Sequence, residues 1–240
     1  YKPYPEPTFR DDQGHRSKRL ETRFGIDDTY MGDSNKYTQF GLRMSYHDLL
    51  DPIPGYLKGA KLEMFNLQMR HNFDTDQTRI QSIHLIDIAS LSPRNDFVTP
   101  TSWHVSTGLK RPKSAPKELS AFLIGGAGLS YQWGQQLFYS LLSGEVNADN
   151  DIDQGFRIAS GPRIGWLTQH HNWSAGIEIN YMHDVIGAEF KEHDVSFGLS
   201  YNLSKNWQFR LESEYQNYFT QENNSKHYGL LNSASLMHYF

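Results

Sequence analysis

Apolar and polar residues alternate with a period of two along most of this chain. In Trp207-Gln208-Phe209-Arg210-Leu211-Glu212-Ser213-Glu214-Tyr215, aromatic, aliphatic or small residues fall on one side and Gln, Arg, Glu and Glu on the other. Successive side chains of a strand point to opposite faces, so this pattern is a β-strand. A soluble sheet sets one face on a core and the other in water. Here the polar face lines up Arg210, Glu212 and Glu214 while the other face ends in aromatics. A strand between lipid and a polar lumen requires that arrangement.

About twelve such segments follow one another. The first, near 17–27, sets Leu20, Thr22, Phe24 and Ile26 against Glu21, Arg23 and Gly25. The second, near 36–47, sets Phe40, Leu42, Met44 and Tyr46 against Gln39, Gly41, Arg43, Ser45 and His47. The third (60–73) and fourth (78–91) alternate less cleanly, and a bulge near Met64-Phe65 restores the phase of the third. The fifth runs over 102–110 and the sixth over 118–133, with Leu123, Ala127, Leu129 and Tyr131 turned to lipid. The seventh (135–147) is ambiguous in phase. The eighth (155–168) contains Pro162, which has no amide proton and predicts a local break or bulge. The ninth (172–184), the tenth (190–203), the eleventh from Trp207 and the twelfth (226–240) complete the series. The fold class read from this is all-β: a transmembrane antiparallel β-barrel of about twelve strands.

An even strand number puts both termini on one side, the periplasmic side in bacterial barrels. Short connections then fall on that side at 133–135, 169–172 and 204–206. Trp103, Trp133, Trp166, Trp173 and Trp207 all lie at the same, inner interface, as a membrane-interface girdle requires. Tyr37, Phe156, Phe190, Phe219 and Tyr228 are expected to form the outer girdle. Two inner connections, 47–56 and 90–100, are long and carry prolines.

Composition agrees with this reading. The longest nearly unbroken apolar run, Ala121 to Leu129, is far short of the ~20 residues of a spanning helix. A mean hydropathy of −0.66 excludes a helical membrane protein but not a barrel, whose strands are only half apolar. The net charge of −4 is interspersed and gives no nucleic-acid signature. The absence of cysteine fits a periplasmic or outer-membrane location without establishing it. No leader precedes Tyr1, and export needs one, so a mature form or a piece of a longer precursor is expected. Residues 1–16 begin Tyr1-Lys2-Pro3-Tyr4-Pro5-Glu6-Pro7. They read either as a frayed terminus or as a semi-rigid periplasmic linker from an upstream domain. The barrel occupies 17–240.

Particular residues carry a family resemblance. Tyr46-His47-Asp48-Leu49-Leu50-Asp51-Pro52 with Gly55-Tyr56 and Gly59-Ala60 is one block. Asp87-Ile88, Ser90 to Phe97, Ser102-Trp103 and Gly125-Gly126-Ala127-Gly128 are others. Together they resemble the carboxy-terminal region of an uncharacterised family of Gram-negative proteins, over roughly residues 10–240. Its longer members carry an Lnb-type, papain-like periplasmic domain ahead of this region. The resemblance implies an outer-membrane barrel and an upstream domain, and it transfers no catalytic residue. It also implies that Phe240 is the terminal aromatic that serves as an assembly signal for the barrel-assembly machinery.

Candidate chemistry is sparse. His47, Asp48 and Asp51 form a compact acid–imidazole group; a general base or metal site needs a further ligand, and turn chemistry accounts for the same residues. Arg94 and Asp96 can pair with that group across the inner mouth as a docking surface or plug, or form an ordinary loop salt bridge. Arg23, Arg43, Arg157, Arg163 and Arg210 with Glu21, Glu178, Glu212 and Glu214 are expected to line the lumen. They read either as a selective pore or as cross-paired charges filling a narrow interior. Asp149-Asn150-Asp151-Ile152-Asp153 opens like a calcium loop, but Gln154 stands where glycine is required, so a polar hairpin loop fits better. No cofactor or metal is expected.

The function expected is non-enzymatic: an outer-membrane anchor or scaffold for a periplasmic domain or partner protein. That partner would be held through His47, Asp48, Asp51, Tyr56, Arg94, Asp96 and Phe97. Lipid and lipopolysaccharide are the other expected contacts. The alternatives are a small-solute or ion channel and, third, an embedded hydrolase built on Ser174 or Ser200 with a histidine.

Overall fold

The computed structural model describes residues 18–28, 35–51, 57–111, 119–148, 155–186, 191–220 and 225–240, with backbone alone at 46, 218–220 and 225–227. Its strands are β1 (Arg19–Asp27), β2 (Asn35–His47), β3 (Ala60–Asn72), β4 (Gln77–Ser90), β5 (Ser102–Lys110) and β6 (Ser120–Trp133). β7 (Gln136–Ala148), β8 (Phe156–Gln169), β9 (Trp173–Ile186), β10 (Lys191–Asn202), β11 (Trp207–Thr220) and β12 (Ser225–Tyr239) follow. Each pairs antiparallel with the next, and β12 returns to β1 to close the barrel. Arg19 pairs with Tyr239, so the chain enters and leaves at one end, called here the terminal end.

Period-two alternation turns this molecule inside out relative to a soluble protein. Phe24, Phe40, Leu123, Leu142, Ile164 and Ile179 are exposed on the outside, while Glu21, Arg43, Glu63, Asp87, Arg157 and Arg210 are enclosed. Closure leaves no sheet edge and satisfies every strand through its neighbours, the condition for strands to cross hydrocarbon. All five tryptophans stand at the terminal end. Trp173 stacks on His170, Trp207 tilts against His238, and Trp166 donates to Gln136 Oε1 at 2.6 Å.

Three local irregularities have readable causes. Glu63 and Asn66 are both enclosed while Met64 and Phe65 are both exposed, and Phe65 has φ of 52°. The phase of β3 therefore slips at the predicted position. Pro162 sits on the outer face. The β8–β9 ladder lacks pairs at Gly161 and Pro162 and shifts register between Ile158 and Ala159, so the expected break falls on one flank only. In β7, Leu137, Tyr139 and Leu141 point inward, while Phe138 and Leu142 point outward. That strand is apolar on both faces, which is why its phase is ambiguous in the sequence.

One girdle expectation is corrected. Tyr37 shares the parity of Gln39 and Arg43, so it turns into the lumen, buried beneath the Arg70 guanidinium with Gly25 leaving room for its ring. Phe156 and Tyr228 are exposed at that end of the barrel, whereas Phe190 and the Phe219 side chain lie outside the described residues.

Candidate functional site

The connection after β2 does not stay at the rim. Residues 48–51 fold into the lumen at the terminal end, where Asp48 organises the turn: Leu50 N donates to its Oδ1 at 2.8 Å, and Asp48 N donates to Asp51 Oδ2 at 3.0 Å. These are the side-chain-to-backbone bonds by which aspartate closes turns. The turn chemistry read from the sequence is therefore present, and an ionic site is built around it.

Three arginines hold the two carboxylates. Arg210 on β11 grips Asp48 with Nη1 to Oδ2 at 2.9 Å and Nη2 to Oδ1 at 3.0 Å. The same Nη2 reaches Asp51 Oδ1 at 3.0 Å. Arg19 on β1 places Nη1 2.6 Å from Asp48 and 3.3 Å from Asp51. Arg43 on β2 meets Asp51 Oδ2 at 2.5 Å and Glu63 at 3.2 Å. The Tyr239 hydroxyl donates to Asp51 Oδ1 at 2.6 Å. The Asp51 side chain is 1% exposed and that of Asp48 is 12%. Forked guanidinium–carboxylate contacts combine charge with fixed geometry, and buried charges persist when paired this way. Burial works to raise the Asp48 carboxyl, but the guanidinium groups of Arg210 and Arg19 outweigh it and hold it well below the usual carboxylate range.

The two leucines between the acids complete the seat. Leu49 and Leu50 pack against an inward cluster of Leu91, Leu137, Tyr139, Leu141 and Leu167. Gln169 donates to Leu49 O at 2.8 Å, while Ser200 and Gln208 donate to Leu50 O at 2.7 and 3.1 Å. Leu50 also lies close over Gly198, where a Cβ would stand 2.5 Å from Leu50 Cδ1. The apolar inner face of β7 is thus explained: it covers a loop instead of facing water.

The charges expected to line the lumen do so, and they cross-pair. Arg23 meets Glu212 at 2.6 Å and Glu21 at 2.8 Å, and Arg157 meets Asp184 at 2.9 Å. A chain of contacts crosses the opposite wall from Lys61 to Asp87 (2.7 Å), to His104 (2.9 Å), to Arg163 (2.8 Å), to Glu178 (3.5 Å). Arginine can only donate, so His104 accepts at Nδ1 and gives its Nε2 proton to Asp87. Gln216 donates to Glu214 at 2.7 Å. The interior is not completely filled: a cavity of ≈ 390 Å³ remains beside the loop, lined in part by Arg23, Lys61, His84, Glu178, Asp48 and Arg210.

Several expectations about the terminal face change. His47, Asp48 and Asp51 are enclosed and do not present a surface to a partner. Arg94 does not pair with that group; its amide donates to Ser130 O and its Nε to Pro100 O. The two long connections meet through backbone instead, Leu91 N donating to Gly59 O at 2.8 Å. Asn95 caps the amides of Phe97 and Val98, leaving Asp96 exposed and Phe97 95% exposed. Tyr56 lies outside the described residues, as do 1–16 and the calcium-like segment 149–153.

Sequence reasoning missed Arg19, Gln208 and Tyr239. Each has the parity of a lumen-facing residue on its strand, a signal that separates inside from outside but says nothing about partners. Of the serines considered for hydrolysis, Ser200 is committed to Leu50 O. Ser106 and Asp87 both face Nδ1 of His84, at 3.4 and 3.8 Å, whereas a catalytic relay uses opposite ring nitrogens. Among the described residues no group of three or more His, Asp or Glu is arranged to hold a metal ion.

Comparison with known proteins supports the architecture. A family model described as a domain of unknown function (DUF7840) matches residues 8–231. No curated protein matches the sequence significantly. The NanC porin is similar over 92% of this chain and 99% of its own, with 7% identity and a TM-score of 0.53. A bacterial polysaccharide outer membrane secretin has 8% identity and a TM-score of 0.51, over 94% and 99% of the two chains. An outer membrane channel from Pseudomonas putida F1 has 9% identity and a TM-score of 0.50, over 93% and 96%. At such identities the likeness is one of fold: a closed transmembrane β-barrel of the bacterial outer-membrane type.

Proposed function

This chain belongs to the DUF7840 family, described as a domain of unknown function, and we propose that its outer-membrane barrel is a closed anchor that holds a periplasmic domain or partner protein at its terminal end. The observation that carries this reading is the inward loop. Residues 48–51 occupy the lumen at that end and are fixed there by Arg19, Arg43 and Arg210. The loop narrows the lumen at that end, which suits a rigid base for an anchor. The same end presents Leu57, Phe97 and Val98 strongly exposed, on the two connections tied together by Leu91 and Gly59. Apolar groups projecting from an end face suit contact with another protein. The partner is an upstream Lnb-type domain, following the family resemblance of the two loop blocks.

Purified protein in planar bilayers tests this. An anchor gives no unitary conductance, and exchanging residues 91–101 for a tight turn abolishes capture of the periplasmic domain or partner supplied as a separate chain. Steady conductance from the unmodified protein, with partner capture unaffected by the exchange, overturns the reading. A channel is the second reading, favoured by the polar ≈ 390 Å³ cavity that adjoins the loop; it requires current through the protein in its native state.

A further inference from the structure

The ionic seat has the form of a ligand site in which the ligand belongs to the chain itself. Asp48 and Asp51 supply two carboxylates close enough to share Nη2 of Arg210, and four groups from the wall converge on them: Arg19, Arg43, Arg210 and Tyr239. The wall also keeps carboxylates of its own, Glu21 at 3.4 Å from Arg19 and Glu63 at 3.2 Å from Arg43. Without the loop, three guanidiniums would face two carboxylates, an imbalance of positive charge in an enclosed place. Stripping a partner from a buried charge is far costlier than exchanging it for another. The loop therefore leaves readily only when something anionic takes its place.

Two further features fit an exchange. Nε and Nη2 of Arg43, which is 1% exposed, have no acceptor among the described residues, so the wall has donors to spare. The ≈ 390 Å³ cavity touches Arg19, Asp48 and Arg210, so a solute in the lumen arrives at the Asp48 edge of the seat.

We propose that Arg19, Arg43, Arg210 and Tyr239 form a site for a small dicarboxylate, filled at rest by Asp48 and Asp51, and that such a solute entering from the lumenal cavity competes with these side chains and displaces the loop. The inference shares the inward loop with the anchoring role but is tested separately, since it concerns what holds residues 48–51 in the lumen and needs no partner at the end face.

The test uses the absence of cysteine from the chain. In an L50C variant the single thiol lies in the seat, and its reaction with a bulky maleimide reports loop displacement. Succinate is expected to raise the labelling rate several-fold with saturation, while acetate and sodium chloride at the same ionic strength do not. Equal rates in all three solutions overturn the proposal. Calorimetry provides a readout independent of that variant: a D48N/D51N barrel, relieved of its internal ligand, binds succinate more tightly than the unmodified protein. Absence of binding heat from D48N/D51N overturns the proposal as well.

Discussion

Arg210 and Asp48 stand 162 positions apart and meet through two parallel N–H···O bonds of 2.9 and 3.0 Å. That contact ties the penultimate strand to the first long connection. Replacing Arg210 by methionine keeps much of the volume and removes the charge, leaving Asp48 and Asp51 short of a cation in an enclosed site. Removing one partner of a buried pair costs about 3–5 kcal/mol. Urea unfolding of R210M in detergent micelles is expected to show a loss of that size. A change below ~1 kcal/mol, the range of exposed pairs, contradicts the buried network.

Acid separates the paired carboxylate from ordinary ones. Asp48 titrates well below the usual range in the folded protein, against about 3.9 when unfolded. Between those values the unfolded chain binds more protons, so the contribution of Asp48 to stability is complete above the unfolded value and is lost as pH falls through the folded one. Thermal melts are expected to show this contribution intact at pH 5 and declining only in stronger acid. D48N should lack that part of the slope, and identical slopes in the two proteins contradict the assignment.

How far the molecule was legible in its sequence follows from the same distinction. Alternation is local, so strand positions could be read within a few residues, and the slip at Met64-Phe65 announced itself as a failure of phase. Parity sorted Arg43 and Arg210 to the inside. What alternation cannot carry is who meets whom across the lumen. In the sequence Asp48 and Asp51 form one loop group and the arginines another, because nothing within a few residues joins them. The doubly apolar β7 was the missed clue: an inner face bearing Leu137, Tyr139 and Leu141 needs something to cover it, and Leu49 and Leu50 do so.

Two glycines of the wall contrast in what they face. A Cβ at Gly198 meets Leu50 Cδ1 at 2.5 Å, the mobile tip of a side chain, whereas at Gly161 it meets Tyr181 O at 1.8 Å. G198A is therefore expected to fold with little loss. G161A should lose about 1–3 kcal/mol, the usual cost of forcing main chain apart. Heat-dependent gel migration of the two variants checks the contrast, and equal behaviour contradicts it.

Leu142, at the middle of β7, faces outward and is strongly exposed. If hydrocarbon covers it, L142R costs about 2–4 kcal/mol, the penalty for arginine at the bilayer midplane. Refolding titrations in lipid vesicles measure this directly. An unchanged midpoint means that water, not lipid, lies against that face.

The seat is made where the first and last strands of the barrel meet. Arg19 and Arg43 come from the first two strands, Arg210 and Tyr239 from the last two. None of the four is positioned until the opening and closing strands have joined, so residues 48–51 have nowhere to go while the cylinder is still an open ribbon. A barrel stalled at that stage would leave two acids dangling at its mouth, where a protease can cut. In the absence of a competing anion, a nick there is therefore expected in molecules whose final seam has not formed.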